Sequence, residues 1–382
     1  MNQRPIRILH VIGAMDRGGP ETWLMHILRR IDRERFQMDF LVHKERPGAY
    51  DEEVRALGGK IIICSHPQRF WTYGPALRRV LREHGPYDAV HSHVQYFSGY
   101  VVRLAYQEGV TRRIAHNHTP SYGNVDGLHH YRHGWLKRCY KALMRQWINR
   151  YATAGLVVNR EGGPDLFGDH WQSDPRWRIF PCAIDLAPFH AQVDSPTVRV
   201  ELGIPLGTLV VGNVNRFFKH KNHPFMVEIM AALVRRRPEA RLLLVGDGPE
   251  LSAIRNQAAL AGLEDKVIFA GSRPDVPRLM LGAMDVFLFP SFAEGMPLVL
   301  MEAQAARLPG VISDVMTGGA DVVPGLMRRL ALTQSPEVWA EALLTRQAQT
   351  SSITREEALA LVEQSPFNIT RSLKELEAIY AG

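Results

Sequence analysis

Two glutamates eight residues apart, Glu294 and Glu302, lie in the stretch FPSFAEGMPLVLMEAQAARLP, residues 289–309. The spacing predicts a strand ending at Phe289, a loop with Glu294 and Gly295, and a helix carrying Glu302. Pro297 suits the first helical position, where a missing N–H loses nothing. Backbone N–H groups of Gly295, Met296 and Leu298 would then make an anion site, aided by the helix dipole. Carboxylates on either side could accept hydrogen bonds from sugar hydroxyls. Two glutamates alone would equally serve as a helix-start acid and an exposed mid-helix acid. Arg216 and Lys221, five apart in NRFFKHKN, offer two cations after another strand, with Lys219 as an alternative to Lys221. Such a pair suits a diphosphate, Arg by bidentate contact and Lys as a compact charge, although a solvated basic loop reads the same way.

Two glycine turns are further candidates. Gly18 and Gly19 precede Pro20 and Glu21 near the start, and Gly246 and Gly248 lie in VGDGPE. Glycine lets a ligand approach the backbone closely, but either turn could be purely structural. His91, His93, His116 and His118 follow two successive strands. Alternate histidines could suggest a metal site, but no nearby acidic residue or cysteine has convincing ligand spacing. No dinucleotide fingerprint follows the first strand, and no phosphate-loop motif occurs anywhere.

These residues need elements to hold them. Short apolar runs alternate with helical periodicity over residues 7–116, pause in a His- and Gly-rich stretch at 117–134, and resume with a basic helix over 135–151. A second alternation starts at Leu209, after a proline-broken stretch. Strands alternating with helices indicate parallel sheets covered on both faces. The expected fold class is α/β, two Rossmann-like doubly wound domains facing across a cleft. The expected domains are 1–190 and 191–365, with a helix over 366–382 packing back on the first. Ligands in such sheets bind at the carboxyl ends of the strands.

The chain has 382 residues and a net charge of +7. The first 190 residues hold 27 of the 46 Lys and Arg and 18 of the 39 Asp and Glu, an excess of +9, leaving −2 for the rest. The first part is therefore expected to face something anionic. Nucleic acid is disfavoured, since no stacking or reading module is present. Cys64, Cys139 and Cys182 have no metal or redox spacing, which fits a reducing compartment. No apolar run reaches the roughly 18 residues of a spanning helix, and the N-terminus does not resemble a secretory signal. A cytoplasmic location follows, with the inner face of the membrane left open. The basic helix reads first as a domain helix whose apolar stripe fills the core. Its cationic face leaves contact with anionic lipid open.

The run EGMPL…EAQA…LP resembles the paired-glutamate signature of retaining glycosyltransferases of family 4, which have the GT-B fold. The likeness extends through DRGGPET, YDAVHSHVQYFSG, RIAHNHT and SPFNITRSLKELEAIY, and is nearest to the bacterial exopolysaccharide and capsule subgroup. It implies a retaining transfer of a hexosyl or N-acetylhexosaminyl group. The donor would be a UDP- or GDP-sugar, the acceptor a lipid-linked saccharide or polysaccharide, and no cofactor or metal would be required. By the resemblance, Glu294 contacts the transferred sugar, Glu302 the ribose, Arg216 and Lys221 the leaving diphosphate, and His118 the sugar. Gly18, Gly19, Gly246, Gly248 and the segment from Gly295 to Leu298 would line the donor, while His93 matches a second, acceptor-side position. The alternatives are a nucleotide-sugar epimerase on this scaffold and a non-catalytic sugar-nucleotide-binding protein.

Overall fold

Nearly every strand is a short run of aliphatic residues closed by a polar or glycine turn, and the central strands are buried on both faces. That pattern belongs to parallel strands with helices on each side. The computed structural model describes residues 4–64, 69–118, 134–316, 318–348 and 353–382. It divides into two units.

The first unit holds a seven-stranded sheet. Its strands are β1 (Ile6–Ile12), β2 (Phe36–Val42), β3 (Ile61–Ile63), β4 (Ala89–Ser92), β5 (Arg112–Asn117), β6 (Ala154–Val157) and β7 (Trp177–Ile179). Their order is β3-β2-β1-β4-β5-β6-β7, with every pairing parallel. The second unit holds β8 (Val210–Val214), β9 (Arg241–Val245), β10 (Val267–Gly271), β11 (Val286–Phe289), β12 (Gly310–Ser313) and β13 (Met327–Leu330). Their order is β10-β9-β8-β11-β12-β13, again all parallel. The winding direction reverses between β1 and β4 in one sheet and between β8 and β11 in the other. Ligands of doubly wound sheets bind at such switch points.

The chain passes from the first unit to the second between Ala183 and Ile184, against the expected 190, and returns after Asn368, against the expected 365. Ile184 bridges Asn368 in parallel, so the chain enters and leaves the second unit side by side. Helix Ile369–Ala381 belongs to the first unit. It buries Leu376 and Tyr380, accepts the Trp23 Nε1–H on Ser372 Oγ at 3.4 Å, and its Ala381 carbonyl takes a bond from Arg112.

Some elements escaped the sequence pattern. Strand β13 (MRRL) has an exposed arginine and a single fully buried residue, so it lacks an apolar run. Helix Phe70–Glu83 runs through Gly74 and Pro75, because burial of Tyr73, Leu77, Val80 and Leu81 overrides that break signal. The basic helix, Gly134–Tyr151, buries only Met144 and Ile148. Trp135, Leu136 and Leu143 are 62%, 45% and 42% exposed, so its apolar stripe does not all enter the core. Most of the His- and Gly-rich stretch before it lies outside the described residues.

Candidate active site

In the second unit, the loop after β8 is built to carry two cations. Asn213 reaches across to the Leu288 carbonyl of β11 at 2.8 Å and ties the two switch-point strands. Phe217 is buried and stacks on His223, with ring centres 4.1 Å apart. Asn222 adopts a left-handed backbone (φ 58°), and its side-chain amide donates to the Pro290 carbonyl at 3.1 Å. Phe292 N–H donates to the His220 carbonyl at 2.8 Å. The cationic loop is thus fastened to the segment leaving β11, which carries Glu294.

That fastening brings Lys221 and Glu294 together. Lys221 Nζ lies 2.5 and 2.7 Å from the two oxygens of Glu294. Both side chains are largely buried, at 14% and 9% exposure, where a charge pair is weakly screened. Arg216 is different: its guanidinium rests 4.6 Å over the Phe218 ring, and it makes no ion pair among the described residues. Lys219, the alternative to Lys221, is exposed. Sequence reasoning gave both cations to a diphosphate. The structure pairs Lys221 with Glu294 and leaves Arg216 as the available charge.

Gly246 and Gly248 support this loop directly. Both have left-handed φ values, +143° and +157°. A Cβ on Gly246 would lie 1.9 Å from the Asn215 carbonyl oxygen, and one on Gly248 2.6 Å from that of Phe217. Phe217 N–H donates to the Asp247 carbonyl at 2.9 Å, and Glu250 N–H to Phe217 O at 3.1 Å. Only glycine lets the two loops touch, so these residues position Arg216 through its neighbours.

Helix Leu298–Ala305 begins one residue later than expected, with Pro297 as its N-cap. Pro297 brings no N–H, so of the first-turn donors only Leu298 and Val299 lack an intrahelical acceptor; Leu300 N–H bonds the Pro297 carbonyl at 3.0 Å. Glu302 is partly buried. Burial pushes its carboxyl up to about 7, since water is withdrawn and no donor among the described residues replaces it. A diol would supply such donors. Sequence reasoning missed Gln304 two residues on. Fully buried, it accepts the Val322 and Val323 N–H groups at 2.9 Å each and donates to the Ala320 carbonyl at 2.7 Å. It therefore anchors the chain beyond β12 to this helix. A glutamine inside an otherwise apolar helix face was the available signal.

The first unit gathers a different set at its switch point. Gly18 caps helix Gly19–Arg30, and a Cβ there would meet a Glu21 carboxylate oxygen at 2.4 Å. A Cβ on Gly19 would meet nothing within 4 Å. Trp23, fully buried, stands with its ring centre 5.3–6.4 Å from those of His91, His93, His116 and His118. Two chains of ring hydrogen bonds cross this cluster. One runs from His10 Nδ1 to His93 Nε2 at 3.0 Å, from His93 Nδ1 to His118 Nε2 at 2.8 Å, and from His118 Nδ1 to Cys182 Sγ at 3.3 Å. The other joins the Tyr380 hydroxyl to His91 Nδ1 at 2.8 Å, and His91 Nε2 to His116 Nδ1 at 3.2 Å. Burial lowers His10 and His118 to about 3 and His91, His93 and His116 well below the usual imidazole range. The five rings are neutral at pH 7. His10, Cys182 and Tyr380 went unread because their partners lie far off in sequence. Both nitrogens of His118 are engaged inside the unit, so a sugar contact requires it to exchange a partner.

These two sites explain what the chain resembles. The profile described as "Glycosyltransferase Family 4" matches residues 17–188, and that described as "Glycosyl transferases group 1" matches residues 194–345. The glycosyltransferase EpsF of Bacillus subtilis is 36% identical over 351 residues, covering 90% of this chain and 88% of EpsF. The chain belongs to glycosyltransferase family 4. The Escherichia coli UDP-Gal:alpha-D-GlcNAc-diphosphoundecaprenol alpha-1,3-galactosyltransferase is 26% identical over 237 residues, 60% of the transferase and 58% of that enzyme. Among solved structures, Anabaena HepE in complex with UDP and glucose superposes with a TM-score of 0.80 at 18% identity. That match covers 99% of the transferase and all of HepE, and identifies the fold as GT-B. No helix among the described residues of the transferase is long and apolar enough to cross a membrane.

Proposed function

We propose that the transferase moves a hexosyl or N-acetylhexosaminyl group from a UDP- or GDP-sugar to a lipid-linked saccharide or growing polysaccharide, with retention of configuration, in exopolysaccharide or capsule synthesis. The observation that carries this reading is the set at the β8/β11 switch point: a buried Lys221–Glu294 pair together with Arg216, which has no ion-pair partner among the described residues. Arg216 stabilises negative charge growing on the leaving diphosphate. Glu294, held by Lys221, accepts from hydroxyls of the transferred sugar, and Glu302 from the ribose. Leu298 and Val299 offer backbone donors to the diphosphate or sugar. The bond from the anomeric carbon to the diphosphate breaks as the acceptor oxygen bonds to the same face, and the acceptor proton passes to the departing phosphate oxygen. His118 holds the sugar and His93 serves the acceptor side. No metal or cofactor is needed for this step. Binding of UDP and glucose by HepE supports a uridine donor, and the printed reaction of the galactosyltransferase supports a lipid-diphosphate acceptor.

The acceptor reaches the transferase at the cytoplasmic face of an anionic membrane. Exposed Trp135, Leu136 and Leu143 beside Lys137, Arg138 and Lys141 support that contact, since apolar insertion and lipid phosphates add. Flotation with anionic and neutral vesicles at two salt concentrations tests it; equal absence from both rejects it. The reaction is tested by screening UDP- and GDP-sugars for thermal stabilisation and for nucleotide release with a lipid-diphosphate-linked sugar. Acceptor-dependent release is expected. Sugar interconversion without acceptor would give the site to an epimerase, and stabilisation without turnover to a binding protein.

A further inference from the structure

The exits of β4 and β5 bring three imidazoles together in a way the transfer reaction does not require. One ring nitrogen from each of His93, His116 and His118 lies within 4.8 Å of the others. Because β4 and β5 are adjacent parallel strands, the sheet itself sets their spacing. Each ring has its second nitrogen engaged by a different partner. His93 Nε2 meets His10 at 3.0 Å, His116 Nδ1 meets His91 at 3.2 Å, and His118 Nδ1 meets Cys182 Sγ at 3.3 Å. The nitrogens left over are His93 Nδ1, His118 Nε2 and His116 Nε2. The first two touch at 2.8 Å. The third belongs to a fully buried ring and has no hydrogen-bond partner among the described residues. The Phe180 backbone favours the charged form of that ring without a hydrogen bond of normal geometry. A buried polar atom without a partner calls for an explanation.

We propose that His93 Nδ1, His116 Nε2 and His118 Nε2 form a binding site for a borderline divalent cation of the zinc type, oriented by His10, His91 and Cys182. Three imidazoles are a donor set that zinc takes readily, leaving a fourth position open. A ligating histidine ordinarily gives its other ring N–H to an orienting partner, and here all three second nitrogens have a partner. Ring centres stand 5.1 Å apart for His93–His118, 5.6 Å for His93–His116 and 3.9 Å for His116–His118. At Zn–N distances of about 2.0–2.1 Å the closest pair must open by about 1 Å. His118, partly exposed where His116 is fully buried, is the ring that moves. The cation takes the nitrogen of His118 that faces His93, so occupancy lowers transfer. That inhibition rests on the proposed role of His118, whereas the binding does not.

The test uses the full chain, stripped with a chelator and titrated with zinc chloride by calorimetry and against a chromophoric chelator. Cobalt(II) then reports coordination through its visible spectrum. One zinc per chain is expected, with a tetrahedral cobalt spectrum. His116→Phe weakens binding more than about 100-fold and Cys182→Ala about tenfold. The sequence has a second histidine-dense stretch, HHYRH, and a His129→Ala/His130→Ala/His133→Ala variant leaves the affinity unchanged. Absence of stoichiometric zinc binding overturns the site, as does loss of binding in the triple variant with retention in His116→Phe. Should His116→Phe fail to fold by circular dichroism, the Cys182→Ala affinity and the cobalt spectrum decide. Zinc binding by a chain without transferase activity would keep the site and reject the function.

Discussion

The two switch points share a topology and differ in charge. At β8/β11 the transferase keeps a buried Lys221–Glu294 ion pair and Arg216, which has no ion-pair partner among the described residues. At β1/β4 it keeps five imidazoles that burial holds neutral. The same strand-end position therefore serves two chemistries. Fixed charge suits a developing anion, whereas neutral ring nitrogens suit hydroxyl groups or a borderline cation. The +9 excess of the first 190 residues is not what fills its switch point. That charge lies elsewhere, including on the basic helix.

Kinetics gives the largest separation. Arg216→Ala should lower kcat about 10²–10³-fold, the usual loss when a charge-stabilising donor is removed. Arg216→Lys should recover only part, since the planar fork is lost. His118→Phe should lose only about tenfold, the value of one neutral hydrogen bond. Equal losses at the two sites, measured by initial rates at saturating donor, would erase the distinction.

Stability gives the next largest. Gly248→Ala should lose about 2–3 kcal/mol, because φ +157° and the Phe217 backbone leave no space for a methyl group. Gly19→Ala, open on all sides, should stay within about 0.5 kcal/mol. Urea unfolding reads both, and comparable losses would show that Gly19 too is held by packing.

The pH dependence has opposite signs in the two units. The histidines have folded values below the unfolded 6.5, to about 3 for His10. Their stabilisation is complete above about pH 6.5 and is lost as pH falls below it. Glu302 has a folded value of about 7 against 4.5 unfolded, so its penalty is absent below pH 4.5 and grows as pH rises to 7. Glu302→Gln should thus gain about 1–3 kcal/mol at pH 8 and nothing at pH 4. Hydrogen exchange on acidification should show β1, β4 and β5 losing protection before β8 and β11. The reverse order would contradict the burial argument.

The fold was legible because parallel strands are short continuous apolar runs, as in RLLLV of β9 and VFLF of β11. Strand β13 was not legible, since an edge strand needs no such run. Of the site, the EGMPL…EAQA stretch and the NRFFKHKN loop were readable as local motifs. What local spacing could not reveal was their ion pair, which depends on Asn222 and Phe292 fastening two loops about 70 residues apart. The histidine pattern was visible as two His-x-His pairs. Its closure by His10, Cys182 and Tyr380 was invisible, because they arrive from inside β1, from the segment after β7 and from the returning helix.

The most direct test is the anomeric configuration of the product, read by NMR, with an α-linked sugar nucleotide as donor and wild-type and Glu294→Ala proteins compared. An α-linked product is expected, with transfer by the variant reduced more than about 10³-fold and its fold intact by circular dichroism. A β-linked product, or undiminished transfer by Glu294→Ala, would contradict donor chemistry at the Lys221–Glu294 pair.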